Sequence, residues 1–283
     1  MTTDGLLVVD KPAGMTSHDV VGRVRRVFGQ KKVGHAGTLD PDATGVLVVG
    51  LGRVTRLMQY MSGLAKEYTT EMVLGTATAT LDDSGPVTGT WDMSAVTVEQ
   101  ARAAAAELTG TILQVPPMVS AIKVGGRRLH HLAREGVEIE RPPRSVRVTR
   151  FDLEPVGPGV LAATISCSSG TYIRVLADDL GRLLGGGAHV RRLRRTAVGP
   201  WPVADAVPLD RIDPGCVLGP AAALPWLEAV EVKGEVEAAV RYGRPLSAAD
   251  LGASGPGPWR VIDGGGDLLA VYEADRRVVL VGP

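Results

Sequence analysis

Gly34-His35-Ala36-Gly37-Thr38-Leu39-Asp40-Pro41-Asp42-Ala43-Thr44-Gly45 is the stretch on which the reading of this chain turns. Asp40 stands between a glycine-rich approach and a proline. Pro41 fixes the backbone after the acid and narrows the conformations open to Asp40 itself. Gly34, Gly37 and Gly45 can take backbone angles that other residues avoid. By spacing alone, the segment reads as a polar turn between an extended stretch and the apolar run 46–49, since Asp-Pro is a common turn signal. A carboxylate on a constrained loop, with His35 and Thr38 near it in sequence, is also a candidate catalytic group.

Four other segments bear on that choice. They are Val9-Asp10-Lys11-Pro12-Ala13-Gly14-Met15-Thr16-Ser17, Lys66-Glu67-Tyr68, Ser169-Gly170-Thr171-Tyr172-Ile173-Arg174, and Gly187-Ala188-His189-Val190-Arg191-Arg192-Leu193-Arg194-Arg195. With the Asp40 loop they form an ordered set that resembles the motifs of the TruB family of tRNA pseudouridine synthases. Any one match could arise by chance; five in the family's order are specific.

The resemblance implies an α+β pseudouridine synthase fold. Its central sheet is mixed but largely antiparallel, flanked by helices and loops, and a small β-rich, PUA-like domain follows. It implies a catalytic domain over 1–225, with a basic RNA-binding thumb at about 117–145, and a C-terminal domain over 226–283. The implied reaction is conversion of uridine 55 in the tRNA T-loop to pseudouridine, with the base flipped out of the loop. No cofactor is implied, because the isomerisation has no redox change and adds no group. Asp40 matches the catalytic aspartate, as nucleophile or as a base toward the sugar. Arg174 matches the arginine that pairs with it. Tyr68 matches the tyrosine that stacks on the target base. Tyr172 and Leu193 match positions lining the uracil pocket, and His35 matches a histidine that fills the space the nucleotide leaves. Lys11 and Pro12 brace the loop. Asp42 departs from the family's usual apolar residue and would raise the Asp40 pKa if the two carboxylates faced each other.

Composition bounds the rest. The chain has 283 residues, 45% hydrophobic and 22% charged, ordinary values for a globular protein. No apolar run reaches the length of a membrane span, and no basic region followed by an apolar core opens the chain. A cytoplasmic monomer is expected. Cys167 and Cys216 stand outside any metal-ligand spacing, so no metal is expected. Thirty-one Lys+Arg balance 31 Asp+Glu, which argues against binding nucleic acid by bulk charge. Three basic clusters nevertheless flank the motifs: Arg23 to Lys32, Lys123 to Arg150, and Arg191 to Arg195. Lys123, Arg127, Arg128, Arg191 and Arg194 are the candidates for contact with the RNA backbone.

Periodicity predicts helices over 17–28, with Ser17 as N-cap and Val20, Val21, Val24 and Val27 on one face, and over 97–108, 128–135, 173–184 and 235–242. Strands are expected over 6–9, 46–49, 68–74, 145–153, 160–167, 259–262, 268–272 and 277–281, with 190–198 extended. Residues 81–89 read as a polar turn, and the Pro-, Ala- and Asp-rich stretch 200–225 is expected to carry a linker and domain boundary near its end. The basic segment between Lys123 and Arg150 is expected to be mobile without RNA.

Two rival functions follow from the same residues. An RNA chaperone would bind tRNA through the clusters and leave Asp40 dispensable. A hydrolase would use Asp40 and Asp42 as a carboxylate pair, but residues so close in sequence seldom straddle a bond.

Overall fold

Thr16, one residue before the expected Ser17, starts the first helix. Its hydroxyl accepts from the Asp19 N–H while the Asp19 carboxylate accepts from the Thr16 N–H, a reciprocal cap that satisfies two end donors. Ser17 instead is tied to Leu39. Its hydroxyl accepts from the Leu39 N–H at 2.9 Å and donates to the Leu39 carbonyl at 3.1 Å, beside Asp40 in the chain. The helix buries Val20, Val21 and Val24, whereas Val27 is exposed.

The computed structural model describes residues 2–118 and 139–274, with the backbone alone at 123–124, 127–128 and 276–280. In chain order the helices are α1 (Ser17–Phe28), α2 (Met58–Ser62), α3 (Val98–Glu107), α4 (Ile173–Leu183), α5 (Gly234–Arg241) and α6 (Ala248–Leu251). The strands are β1 (Gly5–Lys11), β2 (Val33–Ala36), β3 (Thr44–Leu51), β4 (Lys66–Leu74), β5 (Thr76–Thr78), β6 (Val87–Thr90), β7 (Gly110–Gln114), β8 (Lys123–Val124), β9 (Arg127–Arg128), β10 (Arg144–Gly157), β11 (Val160–Cys167), β12 (Ala188–Val198), β13 (Trp201–Pro202), β14 (Val207–Pro208), β15 (Glu228–Glu231), β16 (Trp259–Ile262), β17 (Leu268–Glu273) and β18 (Arg276–Leu280). The helix expected over 128–135 and most of the thumb lie outside the described residues.

The chain divides into two units. The first comprises 1–39, 46–63 and 200–283. In it β1 lies between β3 and β14, and β2 pairs antiparallel with β3. Leu7, Val9, Leu47, Val49 and Leu51 meet the buried face of α1 and are closed over by Leu209 and Ile212. The stretch from Val207 to Val217 is therefore packed on this core. Proline and alanine enrichment hid the two apolar side chains that anchor it. Further on, the parallel pair β15–β16 continues antiparallel into β17 and β18. This small sheet has its own core of Trp259, Val261, Tyr272, Val240 and Leu251.

The second unit comprises 40–45 and 64–199. Its sheet order is β12-β4-β11-β10-β7, every pair antiparallel. The parallel element is the pairing of Thr44 and Gly45 with Arg194 and Arg195 of β12. The helix α4 packs on β12 and on α3, and α3 packs on β10. Residues 81–86 lie in the polar turn expected, and 87–89 belong to β6, which pairs with β5 as a hairpin closing that turn. Their threonine and glycine content carries too little alternation to read as strand.

Candidate active site

The site is assembled within the second unit. Asp40 opens a short turn in which the Ala43 N–H donates to the Asp40 carbonyl. The turn runs into Gly45, whose φ is +102°. A Cβ there would lie 2.1 Å from the Arg195 carbonyl oxygen, so only glycine lets the loop dock on β12.

Arg174, in the first turn of α4, reaches this loop. Its Nε lies 3.0 Å from Asp40 Oδ2 and its Nη2 donates to Oδ1 at 3.2 Å, a two-pronged contact. Nη1 donates to the Thr80 carbonyl at 2.7 Å. Arg174 is 3% exposed, while the Asp40 side chain is 39% exposed. A buried cation thus orients a carboxylate that still faces solvent.

A second carboxylate shares the guanidinium. Asp82 Oδ2 lies 3.8 Å from Arg174 Nε. Its other oxygen accepts from the Thr80 hydroxyl at 2.6 Å and from the Ser84 N–H at 3.1 Å. Leu81 takes a left-handed φ of +62°, and its carbonyl accepts from the Val190 N–H. Asp82 escaped the sequence reading because it sits in a segment with no periodicity.

Asp40, Thr80, Asp82, Arg174, Val190 and Leu193 line one open cavity. Asp42 lines it too, with an exposed side chain. Tyr68 and Tyr172 are not among the lining residues. Tyr68 is 8% exposed on β4, opposite Ile165 and Arg195. Burial pushes its phenol up and the Asp40 charge acts in the same direction, while Arg195 pulls it down by charge and hydrogen bond. Arg195 is 1% exposed; its place in the Leu-Arg-Arg motif marked it, but as part of a surface cluster. Tyr172 occupies the N-cap of α4 without a capping side chain.

The β12 arginines have divided roles. The register jumps between Arg191, opposite Glu71, and Arg194, opposite Thr69, and this bulge presents Leu193 to the cavity. Glu71 accepts from Arg191 Nε at 2.8 Å and Arg192 Nη1 at 2.6 Å. Those arginines hold its carboxyl below the usual range against a smaller effect of burial. Arg194 donates to the Thr44 hydroxyl at 3.2 Å. His35 belongs to the first unit, on β2, with its ring edge-on to His18 at 5.6 Å. Lys11 is fully buried and donates to the carbonyls of Pro12 and Met15. The side chains of Lys123, Arg127 and Arg128 lie outside the described residues. Among the described residues no three His, Cys, Asp or Glu side chains could hold a metal ion, and no helix is long and apolar enough to cross a membrane.

Residues 25–173 match the model of the TruB family pseudouridylate synthase N-terminal domain, and 174–218 that of the tRNA pseudouridylate synthase B C-terminal domain. A tRNA pseudouridine synthase B of Symbiobacterium thermophilum is 49% identical over 245 residues, covering 85% of this chain and 82% of that protein. One of a Mycobacterium species (strain KMS) is 44% identical over 297 residues, covering 99% and 96%. Among solved structures, a chain of a Cbf5-Nop10-Gar1 complex is similar with a TM-score of 0.74 and 25% identity, over 98% of this chain and 82% of that one.

Proposed function

Because the chain belongs to the TruB family of pseudouridylate synthases, we propose that it isomerises uridine 55 of the tRNA T-loop to pseudouridine with Asp40 as the reacting carboxylate. The family and its relatives support tRNA pseudouridylation. The observation that carries the choice of residue is the two-pronged contact of buried Arg174 with a solvent-facing Asp40. An arginine so placed keeps the carboxylate ionised and aimed.

In the proposed reaction the bond from C1′ to N1 breaks, the uracil turns, and a bond from C1′ to C5 forms; the C5 proton passes to solvent and N1 takes up a proton, so the product is an isomer. The ionised Asp40 serves as nucleophile at C1′ or as base toward the sugar. The target must leave the folded loop, at a cost of about a few kcal/mol, offset by phosphate contacts and stacking. Leu193 lines the cavity that receives the base, while Tyr68, held as the neutral phenol and reached only by the flipped base, supplies the stacking face, and Tyr172, at the head of the helix that carries Arg174, meets the base once it is bound. His35 fills the gap left in the loop. Arg191 and Arg194, with Lys123, Arg127 and Arg128, contact the phosphate backbone. Residues 226–283 act as a PUA-like module beside a catalytic region of 1–225, in a cytoplasmic monomer that uses no cofactor.

The test uses a tRNA transcript tritiated at C5 of its uridines. Wild type is expected to release label from one uridine per tRNA, and none when uridine 55 is replaced. Asp40→Asn is expected to bind tRNA and release nothing. Tight binding by wild type without release would instead favour a chaperone, and free uracil would favour a hydrolase.

A further inference from the structure

Gln114 is the last residue of the edge strand β7 and is 2% exposed. Its side-chain amide meets both polar groups of one peptide residue. Oε1 accepts from the Tyr172 N–H at 3.0 Å, and Nε2 donates to the Tyr172 carbonyl at 3.3 Å. That carbonyl also receives the N–H groups of Val175 and Leu176, the first turn of α4. Tyr172 itself offers α4 no side-chain cap. The amide therefore holds the start of the helix that carries Arg174 two residues on.

The chemistry of the contact is selective. An amide presents a donor and an acceptor on one planar group, matching a backbone N–H and C=O in parallel. An ionised glutamate would accept but could not donate, and alanine would take from the Tyr172 N–H the acceptor that Gln114 gives it.

Gln114 also stands at a junction. It is the register partner of Arg144, where the chain returns into β10. Arg141 donates to the Pro116 carbonyl at 3.0 Å just beyond. The base of the basic excursion between the two strands is thus tied by one buried side chain to the residue that opens α4.

We infer that Gln114 is a positioning residue that sets Tyr172 and Arg174 for the reaction and links the root of the basic segment to the active site. This rests on the proposed isomerase activity. Arg174 in turn aims Asp40, so a shift of Tyr172 is felt at the reacting carboxylate and hardly in overall tRNA contact.

Gln114→Ala and the near-isosteric Gln114→Glu decide it, with Gln114→Glu alone sufficing should Gln114→Ala not fold. The readouts are single-turnover tritium release at saturating tRNA, tRNA affinity, and amide exchange of peptides covering Tyr172. Expected are a rate lower by on the order of tenfold or more, affinity within about twofold of wild type, and faster exchange around Tyr172 in both variants. A wild-type rate, or rate and affinity falling in equal proportion, would overturn it. Should wild type itself release no label, the isomerase reading falls, and with it the catalytic part of the inference. The exchange result still decides the clamp, which is refuted by unchanged protection at Tyr172.

Discussion

Arg174 turns its guanidinium to Asp40 through two nitrogens and to the Thr80 carbonyl through a third, with Asp82 at 3.8 Å. A lysine keeps the charge but offers one point where the site uses a planar fork. Arg174→Lys is therefore expected to keep tRNA affinity and to slow single-turnover isomerisation by on the order of a hundredfold, since misaimed reactive groups cost about that much. Rapid-quench measurement with tritiated tRNA checks this; a rate within about twofold of wild type would refute the orienting role. The Gly-Thr-Tyr-Ile-Arg motif made Arg174 legible in the sequence as the partner of Asp40. Asp82 and Gln114 were not legible, because neither lies in a segment whose pattern points to a role.

At the scale of elements, the meeting of β3 with β12 is decided by one missing Cβ. Gly45 combines a φ of +102° with a carbonyl oxygen where its side chain would be. Gly45→Ala is expected to lower stability by about 2–4 kcal/mol, the sum of a left-handed backbone penalty and a displaced neighbour. Gly22 is the contrast. It lies inside α1 with open space around it, so Gly22→Ala is expected to raise stability by about 0.5–1 kcal/mol through helix propensity. Urea unfolding of both variants gives the comparison, and equal shifts would refute the argument. Helix α3 was readable from spacing and cap and α1 from spacing, though its cap is Thr16 and not the expected Ser17; β10 and β11 were readable as strands. The β5–β6 hairpin and β7 were not: they are short, and their register comes from neighbours.

At the scale of the whole molecule, stability carries a pH signature from a buried pair. Burial, reinforced by the charge of Arg195, pushes Lys66 down from 10.5 to about 8. Between those values the unfolded chain holds more protons than the folded one, so Lys66 makes stability rise with pH there. Cys167, its register partner on β11, is pushed by burial from 9.0 up to about 11. Its sign is opposite: the unfolded thiol ionises first, and stability falls across that window. Lys66→Met removes the rising part and, by taking away a charge that favours the thiolate, raises Cys167 a little further. The variant is expected to be favoured over wild type by up to about 3 kcal/mol below pH 8, less any packing loss, with the gap closing toward pH 10.5. Unfolding free energies of the two proteins across that range test it; a gap that does not change with pH would contradict it.

The amino-acid order by itself determined the family, the ordered motifs, the main helices and strands, and Asp40 as the residue to examine. These follow from local periodicity, turn chemistry and residue identity, which are properties of neighbours in the chain. Only the tertiary structure decided that Gln114 grips Tyr172 across 58 residues, and it gave the pairing of Arg174 with Asp40, which the motif resemblance implied, its two-pronged geometry. It alone buried Arg195 opposite Tyr68 and brought Asp82 to the Arg174 guanidinium. Such contacts depend on strand order and register, and these are fixed by how whole faces bury together, a property that no local window of sequence contains.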